Sequence, residues 1–249
     1  EIAQCLVGSE MCIRDRIVLT GANGIGKTTL LKSILGLIPS LGGDVELGDY
    51  LEIGYFEQEM PKGNTNSCIQ EIWEEFPSYT QYEVRAALAK CGLTTQHIES
   101  LVRVLSGGEQ AKVRLCKLIN RETNLLVLDE PTNHLDMESI SWLETYLLNY
   151  PGAVFIVSHD RYFLDKVVTK VVEIEAGNMR MYSGNYSAYA LKKAQLRDAQ
   201  YKAYLNQQRD IKHQEAVIAK LKSFNREKSI KRAESREKML DKVQRIDKP

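Results

Sequence analysis

Apolar residues in the first 185 positions form short continuous runs that alternate with segments of helical spacing. The runs predict β-strands near residues 17–20, 44–47, 51–56, 125–128, 153–157, 170–175 and 179–182. Helical spacing predicts helices after residue 29 and near residues 67–75, 81–91, 106–119 and 139–149. The run at 125–128 is apolar at every position, as in a strand buried on both faces. This alternation predicts an α/β fold with a mostly parallel sheet.

The last quarter of the chain has a different pattern. After Gly184 there is no further glycine, and no proline before Pro249. Residues 223–229 are poor in apolar side chains apart from Phe224, which is typical of a turn. An apolar stripe with heptad-like spacing is formed by Tyr204, Ile211, Ile218 and Leu221. We therefore expect an α/β domain over residues 17–185 and a helical hairpin over residues 186–249.

Charge separates these two parts of the chain. The formal net charge is zero, with 33 basic and 33 acidic residues. Residues 191–249 carry 17 Lys and Arg against 8 Asp and Glu, which leaves 16 basic and 25 acidic residues in residues 1–190. A basic tail on an acidic body favours a polyanionic partner for the tail. A merely solvated helical face is the alternative.

Composition excludes several other classes of protein. No stretch approaches the roughly 18–20 apolar residues that a membrane helix needs, so we expect no membrane insertion. The five cysteines are scattered without a Cys-x-x-Cys pair, which argues against a disulfide framework and a zinc site. We expect a cytoplasmic protein.

A glycine-rich loop follows the first strand. Residues 21–28 fit the phosphate-loop pattern G-x-x-x-x-G-K-S/T, whose amides surround a phosphate at a helix N-terminus. We expect Lys27 to reach the β- and γ-phosphates and Thr28 to hold Mg²⁺. An ordinary glycine-rich turn is the alternative, but a strand before it and a helix after it favour a phosphate loop. The predicted loop consists of Gly21, Ala22, Asn23, Gly24, Ile25, Gly26, Lys27, Thr28 and Thr29.

Two carboxylates end the buried strand at 125–128. Asp129 is placed to hold Mg²⁺, and Glu130 to orient or deprotonate the water that attacks the γ-phosphate. By itself such an acidic pair more often marks the start of a helix. The phosphate loop upstream makes the catalytic interpretation the stronger one.

Further motifs resemble those of ATP-binding cassette (ABC) ATPases. Residues 105–110 (Leu-Ser-Gly-Gly-Glu-Gln) resemble the family's signature, and the motifs occur in the family's order. The resemblance implies that Gln58 is the Q-loop glutamine, a metal ligand and catalytic residue, and that His159 is the switch histidine. It also implies that a signature contacts ATP held by a second cassette, through Ser106, Gly107, Gly108, Glu109 and Gln110.

The amino-acid sequences of two motifs are similar to those of the ABC-F class, which lacks membrane domains and acts on the ribosome. These motifs are residues 130–136 (Glu-Pro-Thr-Asn-His-Leu-Asp) and 158–165 (Ser-His-Asp-Arg-Tyr-Phe-Leu-Asp). In that class a charged helical hairpin joins two cassettes and reaches toward tRNA. The resemblance implies a translation switch, in regulation or antibiotic resistance, with RNA contacts at Lys220, Lys222, Arg226, Lys228, Lys231 and Arg232. A transporter ATPase subunit and a catalytically silent nucleotide-binding fragment remain alternatives.

The first 16 residues fit this family poorly. Residues 5–16 resemble a translated sequencing adaptor, so we expect residues 1–16 to be non-native. Residues 1–20 contain no aromatic side chain that could stack on adenine. The adenine contact therefore stays unassigned.

Overall fold

The computed structural model describes residues 14–43, 45–57, 64–133, 135–223, 226–245 and 247–248, apart from the side chain of Ser229. The chain divides into two compact units, one ending at Tyr189 and one from Ala190 to Pro249. Gln58, His134 and Phe224 lie outside the described residues.

Six strands of the first unit form one sheet, in the order β2-β3-β4-β1-β5-β6. The first five strands are parallel, and only β6 runs antiparallel, beside β5. A mostly parallel sheet in an α/β fold was the prediction, and it is confirmed. The strands are β1 (Arg16–Gly21), β2 (Ile53–Phe56), β3 (Leu125–Asp129), β4 (Ala153–Val157), β5 (Lys170–Glu175) and β6 (Asn178–Ser183).

Helices cover both faces of this sheet. Buried side chains of alternate strand positions form two apolar clusters, with Leu126 and Leu128 on one face and Leu125 and Val127 on the other. A third apolar cluster lies among the helices that connect β2 to β3 along the chain. The helices of this unit are α1 (Lys27–Ile34), α2 (Cys68–Glu75), α3 (Gln81–Lys90), α4 (Thr95–Glu99), α5 (Gly107–Asn120), α6 (Met137–Asn149) and α7 (Arg161–Val167), with a 3₁₀ turn at Val102–Val104.

The predicted strand at residues 44–47 is wrong for the part that the structure describes. Residues 45–47 form neither strand nor helix. Val45 and Leu47 are 39% and 44% exposed. A strand needs a neighbour to take its backbone hydrogen bonds, and these residues join no strand of the described sheet. The strand predicted at residues 51–56 was also too long, because β2 begins at Ile53.

The first strand begins one residue earlier than predicted, at Arg16. The buried Arg16 guanidinium donates to the carbonyl oxygens of Leu147, Leu148 and Tyr150 at the end of α6, at 2.7–3.1 Å. The neighbouring Asp15 carboxylate lies 2.7 Å from Lys170 Nζ on β5. Asp15 and Arg16 therefore anchor the start of β1, an interior strand of the sheet, although the sequence placed them in the unfamiliar N-terminal segment.

Two helices form the predicted hairpin. Helix α8 (Tyr186–Ser223) begins on the first unit, and α9 (Glu227–Asp241) follows the turn. Lys222 Nζ lies 2.6 Å from Glu237 Oε1, whereas the earlier Gln207 donates to the later Gln244 carbonyl oxygen at 2.8 Å, so the two segments run antiparallel. Among the residues of the second unit that the structure describes, three small or branched apolar ones are buried: Ile211, Ile218 and Ala233. Among the described residues, no helix is long and apolar enough to span a membrane.

Candidate functional site

The phosphate loop connects β1 to α1 in the predicted strand–loop–helix arrangement. Gly24 and Gly26 adopt positive φ angles of 78° and 95°, which side chains with a Cβ rarely adopt. A Cβ at either glycine would meet no atom within 4 Å, so both positions border open space. The buried Lys27 Nζ donates to the Gly21 and Ala22 carbonyl oxygens, each at 3.1 Å. The lysine thus lies inside the loop, at the position where a phosphate would be surrounded.

Asp129 ends β3 directly below this loop. The Thr28 hydroxyl donates to Asp129 Oδ1 at 3.3 Å, which joins the two residues predicted to hold Mg²⁺. Asp129 is fully buried, and its Oδ2 has no hydrogen-bond partner among the described residues. Burial raises the pKa of this carboxyl above its usual value, although the Thr28 hydrogen bond and the charges of Lys32 and Lys27 oppose the rise.

Glu130 and His159 face each other at the carboxyl ends of neighbouring strands. Glu130 Oε1 lies 3.3 Å from His159 Nε2, and the Glu130 amide donates to the Val157 carbonyl oxygen at 2.8 Å. Burial raises the pKa of the Glu130 carboxyl above its usual value, while His159 opposes the rise. His159 itself stays half-exposed. The parallel β3–β4 pairing, which aligns Asp129 with Val157, brings the two side chains together.

Residues of the phosphate loop line a cleft of about 500 Å³ together with Glu130 and His159, within the usual size range of small-molecule sites, whereas the fully buried Asp129 is not among its lining residues. Eight of the predicted site residues line it. Asn133, in the loop after β3, also lines it, and the sequence analysis gave this residue no role. Its position within the motif at 130–136 was the one signal that could have found it. The lining residues are Asn23, Gly24, Gly26, Lys27, Thr28, Thr29, Glu130, Asn133, Val157 and His159.

The signature segment lies elsewhere on the first unit, at the start of α5. Ser106 and Glu109 form a capping box at the start of this helix: Ser106 Oγ accepts from the Glu109 amide at 3.4 Å, and Glu109 Oε2 accepts from the Ser106 amide at 2.8 Å. Gln110 Nε2 donates to the Leu105 carbonyl oxygen at 2.9 Å. Ser106 and Gly107 are exposed, and none of the signature residues lines the cleft. The signature is therefore available to a ligand that approaches from outside.

One contact of the signature was missed by the sequence analysis. His97 Nε2, from α4, lies 3.2 Å from Glu109 Oε1. Hydrogen bonds from Ser106 lower the pKa of the Glu109 carboxyl, with a smaller effect from His97. The sequence offered no signal for this pair, because the two residues meet only when α4 packs beside α5. Gln58, the third predicted catalytic residue, lies outside the described residues, so its place in the site stays a prediction.

The cleft fits a nucleotide and a magnesium ion. The loop glycines leave open space above Lys27, and the unpartnered Asp129 Oδ2 is a hard oxygen donor of the kind that Mg²⁺ prefers. Within the described part of the chain no group of three His, Cys, Asp or Glu residues is placed to hold a metal. Magnesium in nucleotide sites needs only one or two protein oxygens, since phosphates and water supply the rest.

Comparisons with known proteins agree with this geometry. Residues 13–133 match a protein-family model described as ABC transporter, and residues 172–249 match a second model with the same description. This chain carries an ATP-binding domain of the ABC type. Domains of this kind bind ATP with Mg²⁺ and generally hydrolyse it.

Two curated bacterial proteins are among those similar to the ABC domain. An uncharacterized ABC transporter ATP-binding protein, YfmM of Bacillus subtilis, is 62% identical over 65% of this chain and 31% of its own length. The energy-dependent translational throttle protein EttA of Mycobacterium tuberculosis is 35% identical over 72% of this chain and 39% of its own length. The chain thus spans about a third of the length of these relatives.

Solved structures share the fold of the ABC domain. A dimeric ATP-binding cassette in a post-hydrolysis state, bound to ADP and Pi, matches with a TM-score of 0.57 at 18% identity. The match covers 68% of this chain and 85% of that one. At this identity the likeness supports the fold alone.

Proposed function

We propose that this chain is part of an ABC-F-type ATPase that switches conformation on the ribosome. The observation that carries the proposal is the pairing of a nucleotide cleft with a hairpin whose tip is basic. Residues 220–232 hold six Lys or Arg residues and one acidic residue. Similarity to a protein named a translational throttle supports a target in translation, and ribosomes would place the protein in the cytoplasm.

ATP binding and hydrolysis are assigned to the residues of the cleft. Lys27 and the loop amides would bind the β- and γ-phosphates, while Thr28 and Asp129 would hold Mg²⁺, as Gln58 would by resemblance. The ion, when bound, neutralises charge on the phosphate oxygens. Glu130 would accept a proton from the attacking water, and a pKa raised by burial makes its carboxylate a stronger base. His159, 3.3 Å away, would orient that carboxylate or contact the γ-phosphate.

A second cassette would complete the site. The signature is exposed and lies apart from the cleft of its own domain, so Ser106 and Gly108 would contact ATP bound to the other cassette. The N-terminus of α5 favours an anion at this point, because its first amides are not paired within the helix. ATP would thus hold two cassettes together, and hydrolysis would release them.

The hairpin would carry this movement to RNA. Six basic residues surround its turn, and a basic surface binds the phosphate backbone without sequence preference. We propose tRNA on the ribosome as the contact, through Lys220, Lys222, Arg226, Lys228, Lys231 and Arg232. Regulation of translation and protection of the ribosome from antibiotics both fit this arrangement.

Ribosome sedimentation with the full-length Glu130→Gln protein tests the proposal. This variant should bind ATP but not hydrolyse it, since the amide cannot accept the proton. We expect it to pellet with ribosomes in ATP and to stay in the supernatant in ADP. Lys27→Ala, which removes the phosphate contact, should stay in the supernatant in both nucleotides.

Two outcomes would contradict the proposal. Absence of the Glu130→Gln protein from the pellet, despite demonstrated ATP binding, would remove the ribosome assignment. Retention of nucleotide by Lys27→Ala at the parent's affinity would remove the phosphate-loop assignment. Co-purification with a membrane protein instead would favour a transporter subunit.

A further inference from the structure

Tyr55 places a second unpartnered polar atom on the sheet face that carries Asp129. Its hydroxyl oxygen is buried and has no hydrogen-bond partner among the described residues. Leaving a buried polar group unpaired is unfavourable, so such atoms are rare in folded proteins. Asp129 Oδ2 is another of the three side-chain atoms of this kind. Two unpaired atoms near one site indicate that both serve a ligand.

The strand register places the two side chains on one face. Tyr55 on β2 lies opposite Val127 on β3, and the strands are parallel neighbours. Asp129 follows Val127 by two residues, and side chains two positions apart in a strand point to the same face. Tyr55 packs against the apolar cluster that includes Val127 and Leu31 of α1. Helix α1 begins at the phosphate loop, so Tyr55 lies between the loop's helix and the metal-site strand.

Charge around Tyr55 agrees with this placement. Burial raises the pKa of Tyr55 to about 12, and the negative charges of Asp129 and Glu57 add to the rise. The hydroxyl therefore stays protonated, and toward a carboxylate it can act only as a hydrogen-bond donor. Glu57 is already engaged, because Lys32 Nζ lies 2.6 Å from its Oε1. The Glu57 side chain is also 41% exposed, so water can satisfy its second oxygen. Asp129 Oδ2, by contrast, is buried and has no partner among the described residues.

We propose that Tyr55 is a positioning residue of the magnesium site. With Mg·ATP bound, its hydroxyl donates a hydrogen bond, through one water molecule, to the Asp129 oxygen that has no protein partner. Magnesium keeps several of its waters when it binds proteins, and partners beyond the first ligands orient a carboxylate toward the ion. The inference rests on the proposed role of Asp129 as a metal ligand.

Substitution Tyr55→Phe tests the inference with two measurements. The first is the affinity for a fluorescent ATP analogue, with Mg²⁺ and with EDTA. The Mg²⁺ gain is the ratio of the affinity with Mg²⁺ to the affinity with EDTA. We expect the substitution to reduce this gain on the order of 10-fold, as the loss of a hydrogen-bond partner of a metal ligand does in other proteins. The affinity in EDTA should stay unchanged. The second is the melting midpoint without nucleotide or metal. It should not fall, because the removed hydroxyl has no partner in the described structure.

Tyr150→Phe is the matched structural control. The Tyr150 hydroxyl donates to the Thr123 carbonyl oxygen at 2.7 Å, on a buried side chain away from the cleft. Its loss should lower the melting midpoint and leave the Mg²⁺ gain unchanged. A Tyr55→Phe variant with the parent's Mg²⁺ gain would overturn the inference. So would one whose midpoint falls as far as that of Tyr150→Phe, since Tyr55 would then be structural.

Asp129→Asn separates this inference from the proposed function. If the parent shows a Mg²⁺ gain that Asp129→Asn abolishes, the metal site stands, and the Tyr55→Phe result decides Tyr55 alone. If the parent shows no gain, or Asp129→Asn keeps it, the proposed metal site fails together with the role of Tyr55.

Discussion

Glu130 combines a strained backbone conformation with a buried carboxylate. Its φ angle is 48°, in the left-handed region that side chains with a Cβ rarely adopt. Its carboxylate is also buried, 8% exposed, and its pKa is raised because burial disfavours the charged form. Backbone strain of this kind costs on the order of 1–3 kcal/mol and tends to occur at functional sites. Both features are explained if this carboxylate must stand at the edge of the cleft.

The raised pKa predicts a gain in stability from Glu130→Gln. A folded pKa above the unfolded value means that the ionised carboxylate destabilises the fold at neutral pH. The neutral amide avoids this cost. Without nucleotide or metal, we expect the melting midpoint to rise by about 2–4 °C, which corresponds to about 1 kcal/mol for a domain of this size. Differential scanning calorimetry at pH 7 measures it.

Glu144→Gln is the control for this prediction. Glu144 is also buried, but its Oε2 lies 2.7 Å from Lys166 Nζ, so its charge has a partner. Removing that charge should lower the midpoint or leave it unchanged. Equal shifts of the melting midpoint in both variants would show that the buried charge of Glu130 does not destabilise the fold.

At the scale of elements, Asp136 connects two helices in the segment after β3. As N-cap of α6, its Oδ1 accepts from the Ser139 amide at 2.8 Å. Its Oδ2 lies 3.2 Å from Lys112 Nζ on α5, the helix that begins at the signature. The hydrogen bonds from Ser139 are the main reason why the pKa of Asp136 falls to about 2. The loop from Glu130 to Asp136 is thus held at its end by the signature helix.

This contact predicts a dependence of stability on pH. A folded pKa below the unfolded value contributes stability that is present above pH 4 and is lost as pH falls toward 2. At pH 7 we expect Asp136→Ala to lose about 1 kcal/mol, the usual value of an N-cap, measured by urea unfolding. Asp136→Asn keeps a capping oxygen that does not titrate. The parent's advantage over Asn should therefore shrink between pH 5 and 3, and a constant difference would contradict the assignment.

At the scale of the whole molecule, charge is divided between an acidic body and a basic hairpin. Part of the positive charge at the tip is already paired, since Lys222 contacts Glu237 and Lys231 contacts Glu227. Arg226 and Lys228 are exposed beside the turn. These two residues are the best probes of RNA binding, because their substitution breaks none of the ion pairs named here.

Salt dependence provides the prediction at this scale. If Arg226 and Lys228 contact phosphates, binding releases counterions, and the logarithm of affinity falls linearly with that of salt concentration. Each substitution to Gln should reduce the magnitude of that slope by about 1, measured by fluorescence anisotropy with labelled tRNA. Lys202→Gln is the control: the residue is exposed on α8, but on the order of 30 Å before the turn. A slope unchanged by the tip substitutions would leave the tip as a solvated surface.

The sequence alone predicted most strands and helices of the first unit along the chain, and most of the residues that line the cleft. Some features depend only on residues close together in the sequence, and can therefore be recognised from it. These are the buried strands, the phosphate loop and the capping box at Ser106. The strand expected at residues 44–47 failed for the opposite reason. Strand formation requires a partner, and apolar alternation does not reveal whether one is available.

Only the tertiary structure decided which distant residues meet. Parallel pairing of β3 with β4 brings His159 within 3.3 Å of Glu130, and pairing of β2 with β3 places Tyr55 on the face of Asp129. The contact of His97 with Glu109 likewise depends on helix packing. Each depends on register and packing between segments tens of residues apart. Local sequence therefore specified the kinds of side chain that the cleft uses, and the sheet specified their distances, burial and pKa values.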